Sequence, residues 1–112
     1  MKRRIARTQP LWRCALEFEW DDAKAKSNRA KHGVSFEEAA AVIEGRYAIT
    51  VPDVRHSDAE EREITIGLSL KSRLLYVVHT ARDAERIRLI SARRATSKER
   101  ELYEEALKDV RD

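Results

Sequence analysis

Between Arg62 and Arg94 apolar positions recur through three successive strand-like runs, REITIGLSL, KSRLLYVVHT and ERIRLISARR. Strand-like runs separated by short polar breaks predict an antiparallel meander. In the first run Ile64, Ile66, Leu68 and Leu70 alternate with Glu63, Thr65, Gly67 and Ser69, so the isoleucine parity is expected to be buried and the other polar. Leu74 to Val78 is apolar on both parities, as a central strand covered on both sides requires. The third run sets Ile87 and Leu89 against Arg86 and Arg88.

Upstream, Leu16, Phe18 and Trp20 alternate with Glu17 and Glu19 and predict a short strand with the apolar three inward. Asp21 is placed to cap the helix DAKAKSNRAKH, which Gly33 ends. That helix has only a narrow small face, Ala23, Ser27 and Ala30, to lay on the sheet. Lys24, Asn28 and Lys31 fall on another face, left for a ligand. Ser35 to Glu38 reads as a capping box opening a core helix with Phe36, Ala39, Ala40 and Ile43 inward. Tyr47 to Val51 predicts a strand, and the polar stretch 54–61 a loop. Thr96 to Glu99 is a second capping box, opening a terminal helix with Leu102, Tyr103, Ala106, Leu107 and Val110 on one side. The order β-α-α-β-β-β-β-α implies an α+β domain over residues 16–112, with helices packed on one face of a small antiparallel sheet. Residues 1–15, basic and aperiodic, are expected to form a mobile extension.

The length of 112 residues suits one domain. A single cysteine, Cys14, allows no internal disulfide, and no run is long and apolar enough for a membrane span or a signal peptide. Cytoplasm is therefore the expected location. The net charge of +3 conceals segregation: residues 62–94 hold eight Lys or Arg against three Asp or Glu. Positive charge gathered on one sheet suggests a polyanion or an acidic partner. His32, His56 and His79 are dispersed and no cysteine pair exists, which argues against a zinc site. Neither a serine-centred nucleophile motif nor a phosphate-cradling glycine loop is present. The chemistry left available uses His, Lys and Arg without metal or other cofactor.

Each candidate has a plain alternative. His79 ends the central strand on the parity of Leu75 and Val77, where a core-edge histidine bonded to a carbonyl is the simpler account. His32 closes the first helix, where a cationic imidazole is favoured as a cap. His56 lies in a polar loop and needs only water. Arg93 and Arg94 close the last strand on opposite faces, and pairing with acids of the terminal helix accounts for them.

Beyond this, Phe18-Glu19-Trp20-Asp21, then KAKSNRAKHGVSFEEAA, EREITIG, RLLYVVHT and RIRLISARRAT followed by ER, resembles the BrnT family of toxins across roughly residues 17–104. The resemblance implies a fold similar to RelE-type ribonucleases and a toxin of a type II toxin–antitoxin system. It implies inhibition of translation by RNA cleavage, and neutralisation by a BrnA-like antitoxin whose DNA-binding domain brings the complex to its operator. Metal-free RNA cleavage uses the 2′-OH as nucleophile and needs proton transfer plus fixed positive charge. On that basis His32 and His79 are expected as acid and base, and Arg62, Arg73 and Arg93 as phosphate clamps. Lys24, Lys31 and Arg94 become RNA contacts, and Tyr76 either a stacking surface for a base or simply a packed side chain. The rival reading is a non-catalytic basic module that acts only in the antitoxin and operator complex.

Overall fold

The computed structural model describes residues 3–7, 16–53, 61–83 and 85–111, with backbone only for 3–7 and 110–111. His56, Cys14 and the leader residues on either side of 3–7 fall outside the described residues. The elements are β1 (Arg3–Arg7), β2 (Glu17–Asp21), α1 (Asp22–His32), α2 (Phe36–Ile43), β3 (Ile49–Pro52), β4 (Glu63–Leu68), β5 (Leu74–Ala81), β6 (Arg86–Arg94) and α3 (Ser97–Arg111). Six strands form one sheet in the order β1-β2-β6-β5-β4-β3.

The α+β order expected from the sequence is present, preceded by β1, which pairs antiparallel with β2. The sheet, however, is mixed: β2 runs parallel to β6, with Glu17 opposite Arg86 and Glu19 opposite Arg88. The chain between β2 and β6, which runs through α1, α2 and the three intervening strands, permits this, since parallel neighbours need a long connection.

The first two helices, α1 and α2, begin where the sequence placed them. Asp21 accepts from the N–H of Ala23 at 2.8 Å, and Ser35 from that of Glu38 at 3.1 Å. Gly33 ends α1 at φ 70, a left-handed conformation that costs glycine little. The core lies between α1, α2 and one face of the sheet, with Phe18, Trp20, Phe36, Leu75, Val77 and Leu89 buried. Trp20 and Phe36 meet edge to face at 5.9 Å.

Three local expectations are corrected. First, α1 does not rest on its small residues: Ala23, Ser27 and Ala30 are exposed, and Asn28 is the buried contact. The Asn28 amide donates to the Ala92 carbonyl at 2.8 Å and accepts from the Ala92 N–H at 3.1 Å. It thus acts as a strand partner for β6, whose pairing with β2 spans only Arg86 to Arg88. Second, the parity of β4 is inverted. Thr65 and Gly67 are buried, whereas Ile64 and Ile66 are half-buried and Leu68 exposed. A β-carbon at Gly67 would stand 3.2 Å from Val42 Cγ1 and 3.3 Å from Ala48, so the close approach of this segment to β4 selects glycine. Third, Leu102 is exposed, and Tyr103 is the buried residue of α3, its hydroxyl donating to the Tyr47 carbonyl at 3.1 Å.

A register irregularity completes the frame. Val78 pairs with Ser91 but His79 with Leu89, leaving Ile90 as a bulge in β6. Leu89 and Ala92 therefore both reach the helix-covered face, and Arg93 pairs across from Tyr76.

Candidate functional site

Strand β5 links two differently built ends. Glu63 faces His79 at one, while Arg94 faces Leu75 and Arg93 faces Tyr76 at the other. At about 3.3 Å per residue, the two ends lie roughly 13 Å apart. The expected site residues are therefore not one constellation: Arg62 and His79 belong to the first end, and Arg73, Arg93 and Arg94 to the second.

The first end is closed. His79 is 2% exposed, and its Nε2 lies 2.7 Å from the Thr65 hydroxyl, which is itself 2.7 Å from that of Thr50. Its Nδ1 is buried without a hydrogen-bond partner, and the nearest charge, on Glu63, is 3.8 Å away. Burial pushes the imidazole down to about 4, because desolvation disfavours its charged form. The ring is held neutral and shielded from solvent. The carbonyl partner expected for it is replaced by a threonine hydroxyl. Arg62 is half-buried beside this end, its carbonyl accepting from the Asp53 N–H at 2.8 Å.

The second end gathers charge at the surface. Arg73 donates from Nε to Glu38 at 3.1 Å, from Nη2 to the other oxygen of Glu38, and from Nη2 to the Gly33 carbonyl at 3.1 Å. One guanidinium thus ties the β4–β5 turn to α2 and to the end of α1. Hydrogen bonding to Arg73 holds the Glu38 carboxyl below the usual carboxylate range, and the same bond raises Arg73. The turn is built for this: Ser69 Oγ accepts from the N–H groups of Lys71 at 3.2 Å and Arg73 at 3.3 Å, and Ser72 adopts φ 61. His32, the last residue of α1, precedes the Gly33 that Arg73 grips. His32, Lys31, Lys71 and Arg94 are all exposed. Lys24, also exposed, lies two turns back along α1, about 10 Å from Lys31.

Arg93 and Tyr76 occupy the other face of the same end. The Arg93 guanidinium sits 4.0 Å from the Tyr76 ring centre, a cation–π contact. Its Nη1 and Nη2 donate to the two oxygens of Glu99, each at 2.8 Å. This bidentate pair raises Arg93 and lowers Glu99. Glu99 also closes the second capping box, accepting from the Thr96 N–H at 2.8 Å. The terminal-helix acid anticipated as a partner for Arg93 is therefore Glu99.

The positive charge of the sheet is less free than composition suggested. Besides Arg73 and Arg93, Arg82 approaches Glu19 and Arg86 approaches Glu17, each at 3.6 Å. Among the described residues no group of three or more His, Cys, Asp or Glu could hold a metal ion, and no helix is long and apolar enough to cross a membrane. Sequence reasoning missed Glu38 and Asn28 as residues that build this end. The signal for Glu38 was present but ambiguous, since its capping-box position accounts for a glutamate there without any arginine.

Comparison with known proteins places the chain. A family model described as the ribonuclease toxin BrnT of type II toxin–antitoxin systems matches residues 20–99. The crystal structure of the Brucella abortus ribonuclease toxin BrnT is similar at 26% identity and a TM-score of 0.55, covering 70% of this chain and 94% of that one. Among curated proteins no match is found.

Proposed function

We infer the function from one premise: this chain belongs to the BrnT family of ribonuclease toxins of type II toxin–antitoxin systems. We propose that it is an endoribonuclease that works without metal, inhibits translation by cutting RNA in the cytoplasm, and is silenced by a BrnA-like antitoxin that links it to operator DNA. The observation that carries the choice of site is the bond from Arg73 to the Gly33 carbonyl. It joins the helix end bearing His32 to the strand ends bearing Arg73, Arg93 and Arg94.

In this reading His32, exposed at the end of α1, takes the proton of a 2′-OH as its oxygen bonds to the adjacent phosphorus. The bond from phosphorus to the 5′-oxygen breaks, and the imidazolium returns the proton to that oxygen. Imidazole suits both transfers near neutral pH. The products are a 2′,3′-cyclic phosphate and a 5′-hydroxyl. Arg94 and Arg73 offset the charge that builds on the phosphoryl oxygens, Lys24, Lys31 and Lys71 follow the flanking backbone, and Tyr76 with Arg93 offers a surface for a splayed base. His79, neutral and enclosed, is assigned to the frame, and Arg62 with it.

One observation favours the rival module that binds without cutting. Arg73 and Arg93 both spend charge on internal carboxylates, as anchors do. The two readings separate on purified protein and a single-stranded RNA in EDTA. Cyclic-phosphate products from the intact chain, lost in His32→Ala while the fold persists, support the enzyme. Salt-sensitive binding with no product supports the module.

A further inference from the structure

Away from the charged residues, a cleft of about 440 Å³ opens between the end of α2, the start of β3 and α3. Val42, Ala48, Leu68, Leu74, Tyr103 and Leu107 line it, and Arg46, Arg100 and Glu104 stand among them. Two of the lining residues stay open to solvent: Leu68 is 56% exposed and Tyr47 46%. An apolar concavity open to solvent and rimmed by charged residues is a common mark of an interaction site. A polypeptide segment seated in the cleft would cover both Leu68 and Tyr47.

The charge on its rim selects the partner. Arg46 lies 5.6 Å from the Tyr47 ring, and among the described residues neither Arg46 nor Arg100 has an ion-pair partner. Two arginines against Glu104 leave the rim positive. The cleft also adjoins the cationic end, because Leu74 follows Arg73 and accepts from the Ala95 N–H at 2.9 Å, and Arg100 follows the Glu99 that holds Arg93. We propose that this cleft is the docking site for an amphipathic, acidic segment of the antitoxin, which places apolar anchors against Leu68 and Leu74 and carboxylates at Arg46 and Arg100. Seated there, the segment stands beside Arg73 and Arg93 and excludes RNA by charge and bulk. The proposal rests on the ribonuclease toxin reading and adds where and by what chemistry the toxin is held.

The test uses the intact chain and, as probe, the protein encoded by the reading frame adjacent to its gene. Binding is measured by calorimetry, and RNA cleavage in parallel, for Leu68→Ser, Arg100→Ala and, as a control for the loss of one surface charge elsewhere, Lys26→Ala. The expected result is affinity about tenfold or more weaker for Leu68→Ser and Arg100→Ala, unchanged for Lys26→Ala, with cleavage retained by all three. Equal binding by the first two overturns the docking site while the function stands. Loss of cleavage with binding retained assigns the cleft to RNA and also overturns it. An intact chain that neither cuts RNA nor binds the neighbouring protein removes the functional reading and the docking site with it.

Discussion

The two ends of β5 carry the same residue types to opposite effect. At the His79 end an imidazole is enclosed, bonded to a threonine and stripped of charge. At the Arg73 end an imidazole, two lysines and an arginine stand in solvent, next to arginines fixed by Glu38 and Glu99. An ionisable side chain becomes available for chemistry when its charged form stays solvated and its neighbours are pinned. His79 fails the first condition. The pinned arginines illustrate the second: each spends part of its charge on a carboxylate and gains a fixed orientation.

The contrast can be broken most forcefully at the open end. Replacing His32 by Ala is expected to cost about a hundredfold or more in RNA cleavage, with the melting temperature nearly unchanged because the residue is exposed. A comparable loss of stability instead would return His32 to a capping role.

Next in size is the pH dependence of the closed end. His79 titrates at about 4 in the folded chain against 6.5 ordinarily, so the unfolded chain binds more protons between those values. Stability is then full above pH 6.5 and falls as the pH drops toward 4, by about 3 kcal/mol. Denaturant titrations at several pH values check this, and His79→Gln should flatten the slope in that window. A slope that survives in the variant belongs to another group. Further loss below the ordinary carboxylate value of 4.5 is expected from Glu38 and Glu99, whose folded forms are lowered.

Smaller still is Asn28→Ala, which leaves the Ala92 N–H and carbonyl unpaired at the edge of β6 and should cost about 1–3 kcal/mol. Chemical denaturation measures it; a cost near zero would mean that water replaces the amide. The smallest effect belongs to the helix lysines. Lys31→Ala should weaken RNA binding only modestly and lower the slope of log affinity against log salt by about 0.7, read by anisotropy across a salt series.

Much of this frame was legible along the chain, and the limits have physical causes. The caps at Asp21, Ser35, Gly33 and Thr96 depend on neighbours three or four residues away, and each was readable. The parity of β4 was not, because hydrophobicity assigns isoleucine inward. Here the close approach at Gly67 and the hydrogen bond between Thr65 and His79 place the small and polar residues on the buried side of β4. Pairing of β2 with β6 joins residues some seventy apart in sequence, beyond the reach of any local period. The contacts that define the open end are also distant: Arg73 meets Glu38 across 35 positions and Asn28 meets Ala92 across 64. Residue types on the meander pointed to arginine and histidine chemistry, but which histidine is exposed depended on the fold.

The central claim is that chemistry belongs to the open end of β5. Single-turnover cleavage of one RNA by purified His32→Ala and His79→Gln, side by side and scaled to folded protein, tests it directly. The account predicts a loss of about a hundredfold or more in His32→Ala and near-normal cleavage in His79→Gln. Normal cleavage by His32→Ala together with loss in His79→Gln would contradict it and move the site to the enclosed end.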